Sequence, residues 1–234
     1  MWLSYNKNFN RLSYIKLVLS VIDFENFGGA RVNKVNYNIK DEADAISIKA
    51  LSGIIELNGV SNKNNGKENG GEVFTPHWCV VDMCNLVDAK ISELKATVLE
   101  PACGSGNILI EVVRRKLATA YRISKTAEEL RENILLAYKS VYGIDIEFSN
   151  VHQSRVRLSR LLDSFLVCSG HNDIDCRSEV NSILELNIIH GDALTEVMYN
   201  CNGIPEQMKL MNWQTGEFEG LSKELEDNSV CDEW

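Results

Sequence analysis

Three acids in this chain stand where short apolar runs end: Glu100 after residues 96–99, Asp145 closing residues 140–145, and Asp192 just after residues 184–189. The first is followed by Pro101-Ala102-Cys103-Gly104-Ser105-Gly106, a glycine-rich turn. Such a turn lets a ligand come close to the backbone, and the helix it opens presents unpaired N–H groups. A carboxylate accepts hydrogen bonds from hydroxyls or amines, or pairs with a cation. The chemistry available is therefore the holding of a polar ligand that carries hydroxyls and a positive group.

A dinucleotide is the obvious rival. Its fingerprint is GxGxxG with an acid about 20 residues on. Here Leu109 occupies the third glycine position, and the next strand-end acid is Asp145, far beyond that distance. A pyrophosphate would also meet Glu100 beside the turn and be repelled. A ligand with an ammonium or sulfonium, such as S-adenosylmethionine, suits an acid there. This physics favours S-adenosylmethionine without deciding the matter alone.

The elements that position these residues follow from periodicity. Thr75-Pro76 reads as a helix start, with Thr as the cap and Pro first in the helix. Val80, Val81, Met83, Cys84, Leu86 and Val87 then form an apolar face. After the glycine turn, Ile108, Leu109, Val112, Val113 and Leu117 share a helix face, with Arg114, Arg115 and Lys116 expected outward. Thr126 and Glu129 form a capping box for a helix through Tyr138. Residues 150–166 read as a helix, 168–181 as a polar loop, and 184–189 as a third strand. Strands alternating with helices imply an α/β fold with a doubly wound parallel sheet, its ligand beyond the carboxyl ends of the strands.

The 234 residues carry a formal charge of −9 and have the composition of a globular chain. Residues 1–60 give no clear fold: 12–24 suit a strand pair or a helix, and 43–57 have near-helical spacing interrupted at Gly53. Residues 61–71 hold nothing apolar and read as a flexible linker. Residues 72–200 form the α/β domain. Residues 201–234 carry eight acids against two bases, an acidic segment in which 212–218 suggest a short edge strand or hairpin. An acidic chain is not expected to grip DNA tightly by itself. Seven Cys without CxxC spacing imply free thiols in a reducing cytoplasm, with neither a disulfide framework nor zinc. No apolar run has the length to span a bilayer. Cys103 lacks a paired base and reads as a small buried thiol. His190 reads as a strand-end surface residue, and His77, His152 and His171 as solvent-facing. Arg114, Arg115, Arg155, Arg157 and Arg160 read as solvated helix faces, and Trp213 and Trp234 as packing residues of the C-terminal segment.

Gly71-Glu72-Val73-Phe74-Thr75-Pro76, Leu99-Glu100-Pro101-Ala102-Cys103-Gly104-Ser105-Gly106, Tyr142-Gly143-Ile144-Asp145-Ile146 and Asn187-Ile188-Ile189-His190-Gly191-Asp192 occur in this order. Together they resemble the motifs of N6-adenine DNA methyltransferases of restriction–modification systems. The likeness is nearest to the gamma-ordered group that includes type I modification subunits. The resemblance covers roughly residues 68–195 and implies a Rossmann-like class I methyltransferase sheet. It implies that Thr75 holds the cofactor carboxylate, Glu100 and Ala102 the methionine part, Asp145 the ribose hydroxyls and Asp192 the adenine amine. Pro101, Cys103, Gly104, Gly106, Ile146 and Ala193 would line the same S-adenosylmethionine pocket.

The family performs its chemistry with Asn or Asp followed by Pro-Pro and an aromatic, after a fourth strand that lies beside the first. The three prolines here, Pro76, Pro101 and Pro205, are not adjacent, so no catalytic residue is assigned. The resemblance therefore implies a sheet of about three parallel strands, truncated before that motif. A partner chain would supply the motif and the recognition of DNA. A sheet stopping there leaves the first strand with an open edge, which recruits a partner, a second copy or the N-terminal 60 residues.

Overall fold

The computed structural model describes residues 15–16, 37, 39–58 and 75–221. The elements in chain order are β1 (Ile15–Lys16), α1 (Glu42–Asn58), α2 (His77–Leu86), α3 (Asp88–Ile91), β2 (Val98–Glu100), α4 (Asn107–Ile123), α5 (Ala127–Lys139), β3 (Val141–Asp145), α6 (Phe148–Cys168), α7 (Ile174–Asn187), β4 (Ile188–Asp192), β5 (Val197–Tyr199), β6 (Pro205–Gln207), β7 (Lys209–Asn212) and β8 (Glu217–Gly220). The linker read at 61–71, and Trp234, lie outside the described residues.

One sheet runs β1-β2-β3-β4-β5-β6. β1 to β4 are parallel, and β5 and β6 add antiparallel pairs. The expected three parallel strands are present as β2, β3 and β4. A fourth, β1, pairs Ile15 with Val98 and Lys16 with Leu99. The edge of the glycine-turn strand is thus taken by N-terminal residues of the same chain, one of the three occupants expected for it.

Side chains alternate across the strands with period two. Val98, Val141 and Ile188 join the main core, to which every described helix contributes. Leu99, Tyr142, Ile144 and Ile189 face the other way and meet Met208, Leu210 and Trp213. Among the described residues, then, the helices share one face, and β-structure covers the other. This corrects the expectation of helices on both faces. After Asp192 the chain has no apolar run of helical period, and the β7–β8 hairpin it forms instead is anchored at fixed points. Tyr142 Oη donates to the Met211 carbonyl at 2.6 Å, and Trp213 Nε1 donates to Asn187 Oδ1 at 2.9 Å. The fully buried Asn187 amide also donates to the carbonyls of Tyr138 and Val141.

Several local readings change. α1 runs unbroken through Gly53, and its Ala50, Leu51 and Ile54 belong to the main core. The polar loop expected over 168–181 is largely α7. Asp173 caps it by accepting from the Cys176 N–H at 2.8 Å, and Cys176, Val180, Ile183 and Leu184 form its buried face at helical spacing. Residues 184–187, read as strand, therefore belong to that helix. The Thr126 cap is present, its Oγ1 accepting from Glu129 N at 3.1 Å, while Glu129 reaches back to Lys125 N.

Arg114, Arg115 and Lys116 do not face solvent. α1, α2 and α3 pack around α4, so this helix has little outer face. Glu111 accepts from both arginines, and Lys116 Nζ donates to the Ala96 carbonyl at 2.7 Å. Burial alone would raise the Glu111 carboxyl, but Arg114 and Arg115 outweigh it and hold the group below its usual range.

Candidate functional site at the strand ends

Parallel pairing in register brings the ends of β2, β3 and β4 together, Glu100 opposite Gly143 and Asp145 opposite His190. The turn after β2 folds back onto β3: Cys103 N donates to the Ile144 carbonyl at 2.9 Å, and Gly104 N donates to Asp145 Oδ2 at 2.7 Å. Asp145 Oδ1 accepts from Glu147 N at 2.9 Å and from Asn150 Nδ2 at 3.2 Å. Asp145 thus closes the turn from the neighbouring strand. Two carboxylate oxygens offer about four acceptor directions, so this use does not exhaust them. Gly106 has φ +85°, and a Cβ there would lie 2.5 Å from Ser154 Oγ. Gly143 is bare for a similar reason: a Cβ would meet Leu109 Cδ1 at 2.7 Å.

Glu100 is the unusual group. Its side chain is buried, and Oε2 has no hydrogen-bond partner among the described residues. Burial pushes the carboxyl up from 4.5 to about 7, against a smaller opposing effect of the Ala102 N–H. A buried acceptor left without a donor costs free energy, which a cationic donor would recover. Cys103 is buried, and desolvation moves its thiol far above the usual range, as befits an inert thiol.

Thr75 sits at the edge of this turn but is not a cap. Pro76 holds the cap position of α2, with no side-chain cap bond. The Thr75 carbonyl accepts from Asn107 Nδ2 at 3.1 Å, which ties the start of α2 to the start of α4. Arg157 reaches over from α6, its Nη1 donating to Ser105 O at 2.6 Å and Asn107 Oδ1 at 2.8 Å. His77 is not solvent-facing: Tyr37 Oη bonds its Nε2, and burial lowers the imidazole below its ordinary value.

Asp192 ends β4 half-buried. It accepts from Leu194 N at 2.8 Å and Thr195 Oγ1 at 2.9 Å, and these bonds hold its carboxyl below the usual range. Ile146 is 59% exposed and Leu194 96%, two apolar side chains that follow Asp145 and Asp192. Ala193 is half-buried between Asp192 and Leu194; Pro101 is half-buried and Ala102 exposed at the start of the turn. His190 lies between the rings of Phe148 and Tyr199, at centroid distances of 5.6 and 4.8 Å.

The structure therefore brings Glu100, the 101–106 turn, Asp145 and Thr75 into one hydrogen-bonded unit. Asp192 with Ala193 stands two strands away from Glu100. Sequence reasoning missed the roles of Asn107 and Arg157. Arg157 was read as solvated, and its position on the buried side of α6 is the signal that was available. Arg155 is likewise engaged, donating to the Ile188 and Glu185 carbonyls, whereas Arg160 is exposed as expected. Among the described residues no group of His, Cys, Asp or Glu is placed to hold a metal, and no helix is long and apolar enough to cross a membrane.

The fold is mixed α/β with a mostly parallel sheet, compatible with a Rossmann-like arrangement. Residues 53–148 match the model of the N-6 DNA methylase family, a span that includes Thr75, the glycine turn and Asp145 and stops before Asp192. Comparison with curated proteins and with solved structures found no match.

Proposed function

We propose that the strand-end site binds S-adenosylmethionine, and that the chain is an adenine-specific N6 DNA methyltransferase or its cofactor-binding portion. The observation that carries this reading is Glu100, a buried carboxylate with an unpartnered oxygen beside a glycine turn, inside the segment that matches the family model. The residues fit such a ligand. Glu100 would receive its ammonium and Asp145 its ribose hydroxyls. Thr75 and the backbone of Cys103–Gly106 would line the amino-acid end. Ile146 and Ala193 would flank the purine, with Asp192 near its amine. The chemistry supplied by the bound cofactor is a methyl group on a sulfonium. What the chain does is orient that group and shield Glu100 from water.

The gamma-type order and a restriction–modification setting in the cytoplasm belong to this proposal. So does a partner chain that supplies the missing motif and most of the contact with DNA. A second reading is a cofactor-binding or interaction module without methyl transfer; these 234 residues hold no two adjacent prolines. Titration calorimetry with S-adenosylmethionine tests the site, and transfer of labelled methyl to adenine in DNA tests the activity. One-to-one binding with methyl transfer supports the enzyme. Binding without transfer supports the module, and absence of binding at millimolar ligand rejects both.

A further inference from the structure

We propose that Arg157 is a specificity-determining residue of this site. Its guanidinium receives the carboxylate of a ligand whose ammonium lies at Glu100, so the site selects a zwitterionic amino-acid group. The inference rests on the cofactor reading above and adds a residue to it.

Arg157 differs from the other arginines of the described residues in what offsets its charge. Arg114 and Arg115 pair with Glu111, Arg122 with Asp41, Arg131 with Glu179 and Arg177 with Asp163. Arg155 has no carboxylate, but it lies on the carbonyl end of α7, where the helix dipole is negative. Arg157 has neither. Its Nη1 meets only neutral acceptors, Ser105 O, Ser105 Oγ at 3.0 Å and Asn107 Oδ1, and its buried Nε has no partner.

Its surroundings add positive potential. Asn107 links Arg157 to the start of α4 and, through the Thr75 carbonyl, to the start of α2. Neither helix has a side-chain cap or an acid in its first turn. Two helix N-termini and a guanidinium thus converge with no carboxylate on the guanidinium, since Asp145 meets the turn at Gly104 N and not at Arg157, an arrangement that favours an anion there. At the other end of the same turn stands Glu100, nine-tenths buried, with its unpartnered Oε2. The two unmatched groups have opposite sign and flank one backbone turn. A ligand bearing an ammonium and a carboxylate on one carbon satisfies both.

The test compares S-adenosylhomocysteine with S-adenosyl-3-thiopropylamine, which keeps the ammonium and lacks the carboxylate. Titration calorimetry on the full chain is expected to show that the wild type prefers the first by about tenfold or more, the scale of one charge-assisted bond. Arg157→Gln is expected to erase that preference by weakening only the carboxylate ligand. If the Gln variant does not fold, Arg157→Lys replaces it, with the preference reduced severalfold. Equal affinity of the wild type for both ligands overturns the proposal. So does equal loss of both in the variant, which marks Arg157 as a brace of the turn. Wild-type binding of neither ligand removes the cofactor reading itself, and this inference with it.

Discussion

Among the described residues, replacing Glu100 by Gln removes the one carboxyl that burial raises to about 7 from its ordinary 4.5. A value raised in the folded state means that the fold prefers the neutral acid. The stability this contributes is complete below pH 4.5 and is lost as pH rises through 7. The interval corresponds to about 3 kcal/mol. Without ligand, the wild-type protein therefore gives up about that much between these limits through this group, while the Gln variant, always neutral, does not. Urea unfolding of both proteins at half-unit steps from pH 4.5 to 7.5 measures it. The difference between the two curves isolates Glu100, because every other titrating group is common to both. Ligand binding should show the complementary behaviour. A ligand ammonium needs the ionised carboxylate, so wild-type affinity for S-adenosylhomocysteine climbs about tenfold per pH unit below 7 and the variant's does not. Stability curves that run parallel across this range refute the argument.

Three other substitutions probe the frame around the site. Asp145→Ala strips the acceptor from the Gly104 and Glu147 amides and from Asn150, which should cost about 1–3 kcal/mol in denaturant unfolding as well as most cofactor affinity; unchanged affinity would misplace the pocket. Glu111→Leu leaves Arg114 without its carboxylate and Arg115 with Asp88 alone, and unfolding should show a loss of about 3–5 kcal/mol. Gly106→Ala forces a Cβ into the left-handed region 2.5 Å from Ser154 Oγ, with an expected loss of about 1–3 kcal/mol. Adding Ser154→Gly should return part of that loss, and a purely additive double-mutant cycle would contradict the contact.

The strand-end acids and the turn were legible because each depends on local order. A strand must be short and apolar, a turn needs glycine, and an acid at the boundary accepts from the N–H groups of the turn that follows, as Asp192 does from Leu194. The hairpin over 212–218 was legible for the same cause, and the structure closes it between Asn212 and Glu217. α7 was misread because its apolar residues are sparse and lie among acids and serines. Its Asp173 cap and the spacing of Cys176, Val180 and Leu184 were the cues. Arg114, Arg115 and Lys116 were misread because a charged residue on a helix is ordinarily solvated. Whether a helix has a solvated side depends on what packs beside it.

By itself, then, the sequence determined the alternation of strand and helix, the acids at the three strand ends and the chemistry such acids suit. Those follow from covalent order and residue type. Tertiary structure decided which groups were left unmatched. Glu100 lacks a donor, and Arg157 an acid, only because β3, α2, α4 and α6 converge on one turn. It also decided that the helices gather on one face and that Ile15–Lys16 takes the edge beside Val98. Burial and pairing are properties of neighbours in space, and residues 50 or more positions apart, such as Ser105 and Arg157, become neighbours only when the sheet forms.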